Sequence, residues 1–219
     1  MSLETDTLRE EGLRFFGKMN ASLSHEIRNS MAVINENAGL IRDLLLMAEK
    51  RGPADLGRID SLAQRISEQI RRANGIVDNM NKFAHSVDDS VRAVDVIGCL
   101  RLVTELSGRF AAMRGVGLHL EESSAPLEIT TSPFLLQNLI SLCLERVMDA
   151  TPEGGTVSMK VEQEGGCACI RFSGMKSVGE KWSERPPSKA EEELFRSLDA
   201  RLEFEAQPPC VKLLVSDHD

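Results

Sequence analysis

The residues of this chain best suited to chemistry sit together near its start, in Leu23-Ser24-His25-Glu26-Ile27-Arg28-Asn29-Ser30. Neutral imidazole is a nucleophile, and a neighbouring acid can orient the ring or take its proton, leaving the other nitrogen to attack. Glu26 is that acid by sequence, and Asn29, four residues past His25, shares its helical face. The surroundings read as an amphipathic helix, because Leu23, Ile27, Met31, Ile34, Ala38, Ile41 and Leu45 advance by threes and fours. His25 lies two residues off that stripe, so its ring is expected to face solvent. Such a histidine is suited to exchange a group with a visiting partner. Arg28 reads more simply as part of a solvated face. His85 and His119 lack acid or cysteine partners at ligand spacing and read as surface or strand residues, while Met31, Met47 and Met80 read as core.

Two long elements must hold this segment. From about Thr7 to Lys50 the pattern is helical and free of proline, until Arg51-Gly52-Pro53-Ala54-Asp55-Leu56-Gly57 breaks it. A second helix is expected from about Arg58 to His85, with Ile59, Leu62, Ile66, Ile70, Ala73, Val77, Met80 and Ala84 in the same stepping. A short connector makes the two an antiparallel hairpin. One hairpin cannot cover stripes this wide, so two hairpins are expected to pair about a two-fold axis as a four-helix bundle, a homodimer.

The polar break Ser86-Val87-Asp88-Asp89-Ser90 divides that hairpin (1–88) from a second domain (89–219) of different character. Val94 to Arg114 reads as a helix entered from a short strand, followed by strands at Gly115–Glu121 and Leu127–Thr131. Ser132-Pro133 opens a helix running to Thr151. Thr156–Glu162 and Cys167–Phe172 read as hairpin strands, Ser188 to Arg201 as a helix, and Glu203 to Val215 as one or two closing strands. The fold class is therefore α+β: a helical hairpin followed by a helix-and-sheet sandwich.

Composition narrows the function. A net charge of -8 argues against a general nucleic-acid or anionic-membrane surface, and the absence of tyrosine with Trp182 as sole tryptophan argues against base stacking. Five cysteines without a CxxC pair fit reduced thiols better than a disulfide framework. No secretory signal is visible at the N-terminus, and no stretch approaches the ~20 apolar residues of a membrane span. A cytoplasmic protein is expected.

Two segments resemble a known family. Ser24-His25-Glu26-Ile27-Arg28-Asn29 is similar to the phospho-accepting box of two-component sensor histidine kinases, on the first helix of their dimerisation and histidine-phosphotransfer domain. Met148-Asp149-Ala150-Thr151-Pro152-Glu153-Gly154-Gly155-Thr156-Val157 resembles the end of the family's ATP-binding helix and the strand after it. The resemblance implies a dimeric four-helix bundle followed by a sandwich of the histidine-kinase ATPase type, and it covers nearly the whole chain.

The departures from the family are as specific. Arg146 stands where the resemblance places an asparagine that holds magnesium, and Leu142, one turn earlier, replaces a polar partner. Guanidinium offers magnesium no oxygen. The family's next motif is an Asp followed by spaced glycines, but Ser173-Gly174-Met175-Lys176-Ser177-Val178-Gly179 contains no acid. The glycine-rich lid is also missing from Ser183–Ser188. Leu142, Arg146 and Gly174 thus mark a pocket expected to have lost its nucleotide. Ser30 replaces a proline common in relatives, which predicts a straighter helix.

Three readings follow. In the first, the chain is a histidine phosphotransfer protein in which His25 relays a phosphoryl group between aspartates of response-regulator receiver domains. Glu26 then serves the ring, and Asn29 can position a water against a phosphorylated aspartate. The receiver supplies magnesium, and no cofactor or metal is expected in this chain. Ile27, Met31, Ala73 and Ile76 are the candidate docking residues, as an apolar patch rimmed by charge. In the second, the protein autophosphorylates on His25 with ATP. In the third, it is a docking or inhibitor module without chemistry.

Overall fold

The computed structural model describes residues 2–122, 126–176 and 186–217. It divides into two compact units, residues 19–82 and residues 1–18 with 83–219.

Unit 19–82 is the body of a helical hairpin made by α1 (Ser2–Arg51) and α2 (Leu56–Ala84). Asp55 starts α2 by accepting a hydrogen bond from the Arg58 amide at 3.0 Å. α1 runs without interruption past Ser30. The buried line along α1, however, is not the apolar stripe read from sequence. Met19, Ser22, Leu23, Ser30 and Asn37 are buried, whereas Met31, Leu45 and Met47 are 46%, 48% and 56% exposed. Ser22, Ser30 and Asn37 each precede a stripe residue by one position, which is about 100° of rotation on a helix. The inner seam is thus partly polar, with the Asn37 amide donating to the Val33 carbonyl at 2.7 Å. Leu62, Ala73 and Ile76 are the buried residues α2 brings to this unit. Much of the apolar stripe stays outside, along with Ile70 and Val77 of α2.

The first eighteen residues group with the second unit rather than with the hairpin, so the division differs from the boundary expected at 88. Aromatic packing explains the difference. Phe83 stacks on Phe16 at 5.3 Å, meets the Phe15 ring edge-on at 5.4 Å, and lies 6.1 Å from Phe134. Lys18 adds an ion pair with Glu145 and lies over the Phe110 ring.

The rest of this unit follows in the order β1 (Arg92–Asp95), α3 (Val96–Met113), β2 (Gly117–Leu120), β3 (Glu128–Thr131), α4 (Pro133–Ala150), β4 (Thr156–Glu164), β5 (Cys167–Ser173), α5 (Lys189–Ser197), β6 (Ala200–Ala206) and β7 (Pro209–Val215). β1 and β3 form an antiparallel ribbon, and the main sheet has the order β2-β4-β5-β7-β6, with β2 parallel to β4 and the remaining pairs antiparallel. Caps fix the helix starts: Asp95 for α3, Ser132 for α4 with Pro133 at the first position, and Ser188 for α5. α4 is the central core helix, with Leu136, Leu139, Ile140, Cys143, Leu144 and Val147 fully buried. This is a helix-and-sheet sandwich following a helical hairpin, the α+β class read from sequence.

Alternate residues of the central strands carry a ladder of charge. Arg171 bridges Glu162 and Glu205, Lys212 bridges Glu164 and Glu205, and Lys160 joins Glu162. Glu162, Glu164 and the Cys169 thiol lie close enough together to resemble a metal-ligand set. Their chemistry points elsewhere, because both carboxylates are already taken by cations. Burial and Glu164 together push the Cys169 thiol up to about 12.

Candidate functional site

His25 is exposed in the middle of α1. Its partner is Asn29, whose amide nitrogen lies 3.1 Å from the ring Nδ1. The spacing of four residues does this, since one helical turn brings the amide above the ring. The contact also decides which ring nitrogen can react. With Nδ2 facing the ring, Nδ1 accepts and the hydrogen resides on Nε2. With the amide turned over, the Nδ1 hydrogen is donated to Oδ1, and Nε2 keeps a lone pair. The second arrangement makes Nε2 a nucleophile.

Glu26 faces a different way. Its carboxylate lies 3.4 Å from the Arg72 guanidinium on α2, and the Glu26 side chain is only 16% exposed. Successive helical residues are about 100° apart, so Glu26 turns toward the second helix while His25 turns outward. The expected service of Glu26 to the ring is therefore not made in this arrangement. Arg72 was missed in the sequence because pairing Glu26 with it requires the register between the helices.

The four docking residues separate. Met31 is exposed and Ile27 half-buried, which suits an accessible patch. Ala73 and Ile76 are 4% and 9% exposed and belong to the hairpin's inner seam, so they do not line an open surface. The three-and-four stepping marked them as apolar without showing which side of α2 they occupy.

On α4, Leu142 is half-buried and Arg146 is buried. The Arg146 guanidinium donates to a Glu191 carboxylate oxygen at 2.8 Å, with both side chains more than nine-tenths buried. The same oxygen accepts from the Ser188 amide at 2.7 Å, completing the capping box that opens α5. Ser188 and Glu191 were legible as a capping pair; the arginine 45 residues earlier was not. Gly174 ends β5 at φ +105, and a Cβ there would come 2.0 Å from the Thr156 carbonyl oxygen. Its place is dictated by that close approach. Ser177, Val178, Gly179 and the Ser183–Arg185 part of the expected lid lie outside the described residues.

Comparison with curated proteins adds relatives to this geometry. Sensor protein CreC of Escherichia coli K12 is 26% identical over 168 residues, covering 74% of this chain and 33% of CreC. Sensor histidine kinase ZraS from the same strain is 26% identical over 164 residues, again 74% of this chain and 33% of the relative. The chain is homologous to two-component sensor histidine kinases. It spans about a third of the length of these curated kinases. No family model matches it. Among solved structures, the Acinetobacter baumannii histidine kinase AdeS aligns over 89% of this chain and 98% of its own at 10% identity, TM-score 0.48. A histidine kinase from Burkholderia phymatum STM815 aligns over 86% and 97% at 17% identity, TM-score 0.43. No described helix of this kinase-like chain is long and apolar enough to cross a membrane.

Proposed function

We propose that this chain is the phosphotransfer part of a histidine-kinase-like signalling protein, with His25 as the phosphoryl carrier. The observation that carries this reading is the exposed His25 ring with Asn29 at 3.1 Å on Nδ1. One such contact fixes the ring and can leave Nε2 free. The acceptor is the aspartate of a response-regulator receiver domain, docking over the Ile27 and Met31 side of α1. The open apolar residues of the hairpin, Met31, Leu45, Ile70 and Val77 among them, support a homodimer built by pairing two hairpins. The five unpaired cysteines support a reducing, cytoplasmic setting.

Homology favours ATP as donor, because the curated relatives are sensor kinases. A second reading, in which a phosphorylated receiver is the donor, rests on α4. Arg146 brings a cation and no oxygen ligand to the position where the resemblance places a magnesium-holding asparagine. Glu191 already neutralises it in a buried pair. These side chains do not suit a magnesium–nucleotide.

One experiment tests both. The protein is incubated with radiolabelled ATP and magnesium, and separately with a radiolabelled phospho-receiver. Label on His25 from either donor, absent in His25→Ala, supports the carrier role and identifies the donor. No acid-labile label from ATP or from any receiver of the same genome overturns it.

A further inference from the structure

Resting on the reading of His25 as phosphoryl carrier, we propose that Arg72 is a positioning residue that controls when Glu26 reaches the His25 ring. The acid beside the histidine is held away from it. Its carboxylate is turned to α2 and mostly buried, and Arg72 is its ionic partner among the described residues. Meanwhile the ring Nδ1 is engaged by the neutral amide of Asn29. Two partners thus compete for one nitrogen, and the cation on α2 decides between them.

The tether is built to release. Arg72 is 62% exposed and touches Glu26 through one nitrogen at 3.4 Å, well short of the short, two-pronged contact that makes an arginine–carboxylate pair strong. When this loose, exposed pair opens, Glu26 is freed to replace Asn29 at Nδ1. The transfer then balances. Nε2 forms its bond to phosphorus as the donor's bond to phosphorus breaks and the leaving group departs with that electron pair. The Nδ1 hydrogen passes to the Glu26 carboxylate and on to water. In the resting hairpin the same tether keeps the base off the ring, so adventitious donors find a slow nucleophile.

Phosphoramidate tests this, since it is a small donor that needs neither nucleotide nor receiver: its P–N bond breaks and ammonia leaves. Initial rates of His25 phosphorylation are measured on phosphate-affinity gels for the wild type, Arg72→Gln, Glu26→Gln and the double variant, with His25→Ala as blank. Arg72→Gln should accelerate labelling roughly threefold to tenfold, within the range of positioned proton transfer. Arg72→Lys should restore the wild-type rate, and Arg72→Gln should change nothing in the Glu26→Gln background. A purely structural role would move melting temperature without this dependence on Glu26. If His25 labels but Arg72→Gln has no effect, or the same effect with and without Glu26, the role of Arg72 is overturned while the carrier reading stands. If His25 labels from no donor at all, both fall.

Discussion

At the scale of single residues, solvent exposure and burial divide the reactive groups sharply. His25 is exposed and is hydrogen-bonded through its ring to Asn29, so His25→Ala should abolish phosphorylation and change stability by less than about 0.5 kcal/mol. Circular dichroism melts alongside the labelling assay check both halves of that statement. The thiols give a second forecast. Burial pushes Cys99 and Cys143 up to about 12, and Cys210 is raised by the same cause. Cys167 alone is half-buried rather than buried. Alkylation of the native protein should therefore modify Cys167 first, with the other four reacting only on unfolding, as peptide mapping by mass spectrometry would read out. His25, Asn29 and their shared face were legible because a spacing of four on a helix fixes neighbours without tertiary information. Gly174 teaches the opposite lesson. It was read as a remnant of a nucleotide site, yet the Thr156 carbonyl by itself demands a glycine there.

At the scale of elements, α5 is joined to α4 through one carboxylate. Glu191 both caps its own helix and neutralises Arg146, so Glu191→Gln or Arg146→Met strands a buried charge or weakens a buried bond. Removing one partner of a buried pair costs about 3–5 kcal/mol, whereas replacing both with apolar groups costs far less. The double variant should thus melt above either single variant, a comparison that thermal denaturation makes directly. The charge ladder on the sheet predicts a pH dependence. Neighbouring lysines and arginines hold Glu162, Glu164 and Glu205 below the ordinary glutamate value of 4.5. A lowered carboxylate adds stability above its unfolded value, and that stability disappears as pH falls through the folded one. Lys212→Met should accordingly cost stability near neutrality, and its difference from the wild type should fade when urea unfolding is repeated at pH values below the folded carboxylates. The order of strands and helices was readable from turn residues and caps. The sheet's cross-strand ion pairs and the Arg146–Glu191 contact were not, because they depend on register and on residues far apart in sequence.

At the scale of the whole molecule, the hairpin leaves apolar residues on its outside that a second copy can cover. Light scattering after size exclusion should find a dimer, and Met31→Glu combined with Leu45→Glu should yield monomers that keep their helical content. The exposed residues belong to the apolar stripe itself, while the buried seam of α1 runs one position away, since a single stripe does not say which neighbour claims it. The aromatic cluster has a practical consequence for dissecting the protein. Phe15, Phe16 and Phe83 come from the first part of the chain and Phe134 from the second, and together they form one packed group. Cutting at the polar break near Ser90 would leave greasy rings bare on both pieces. A sandwich fragment beginning there should aggregate on expression, and supplying the missing segment in trans should bring it back into solution.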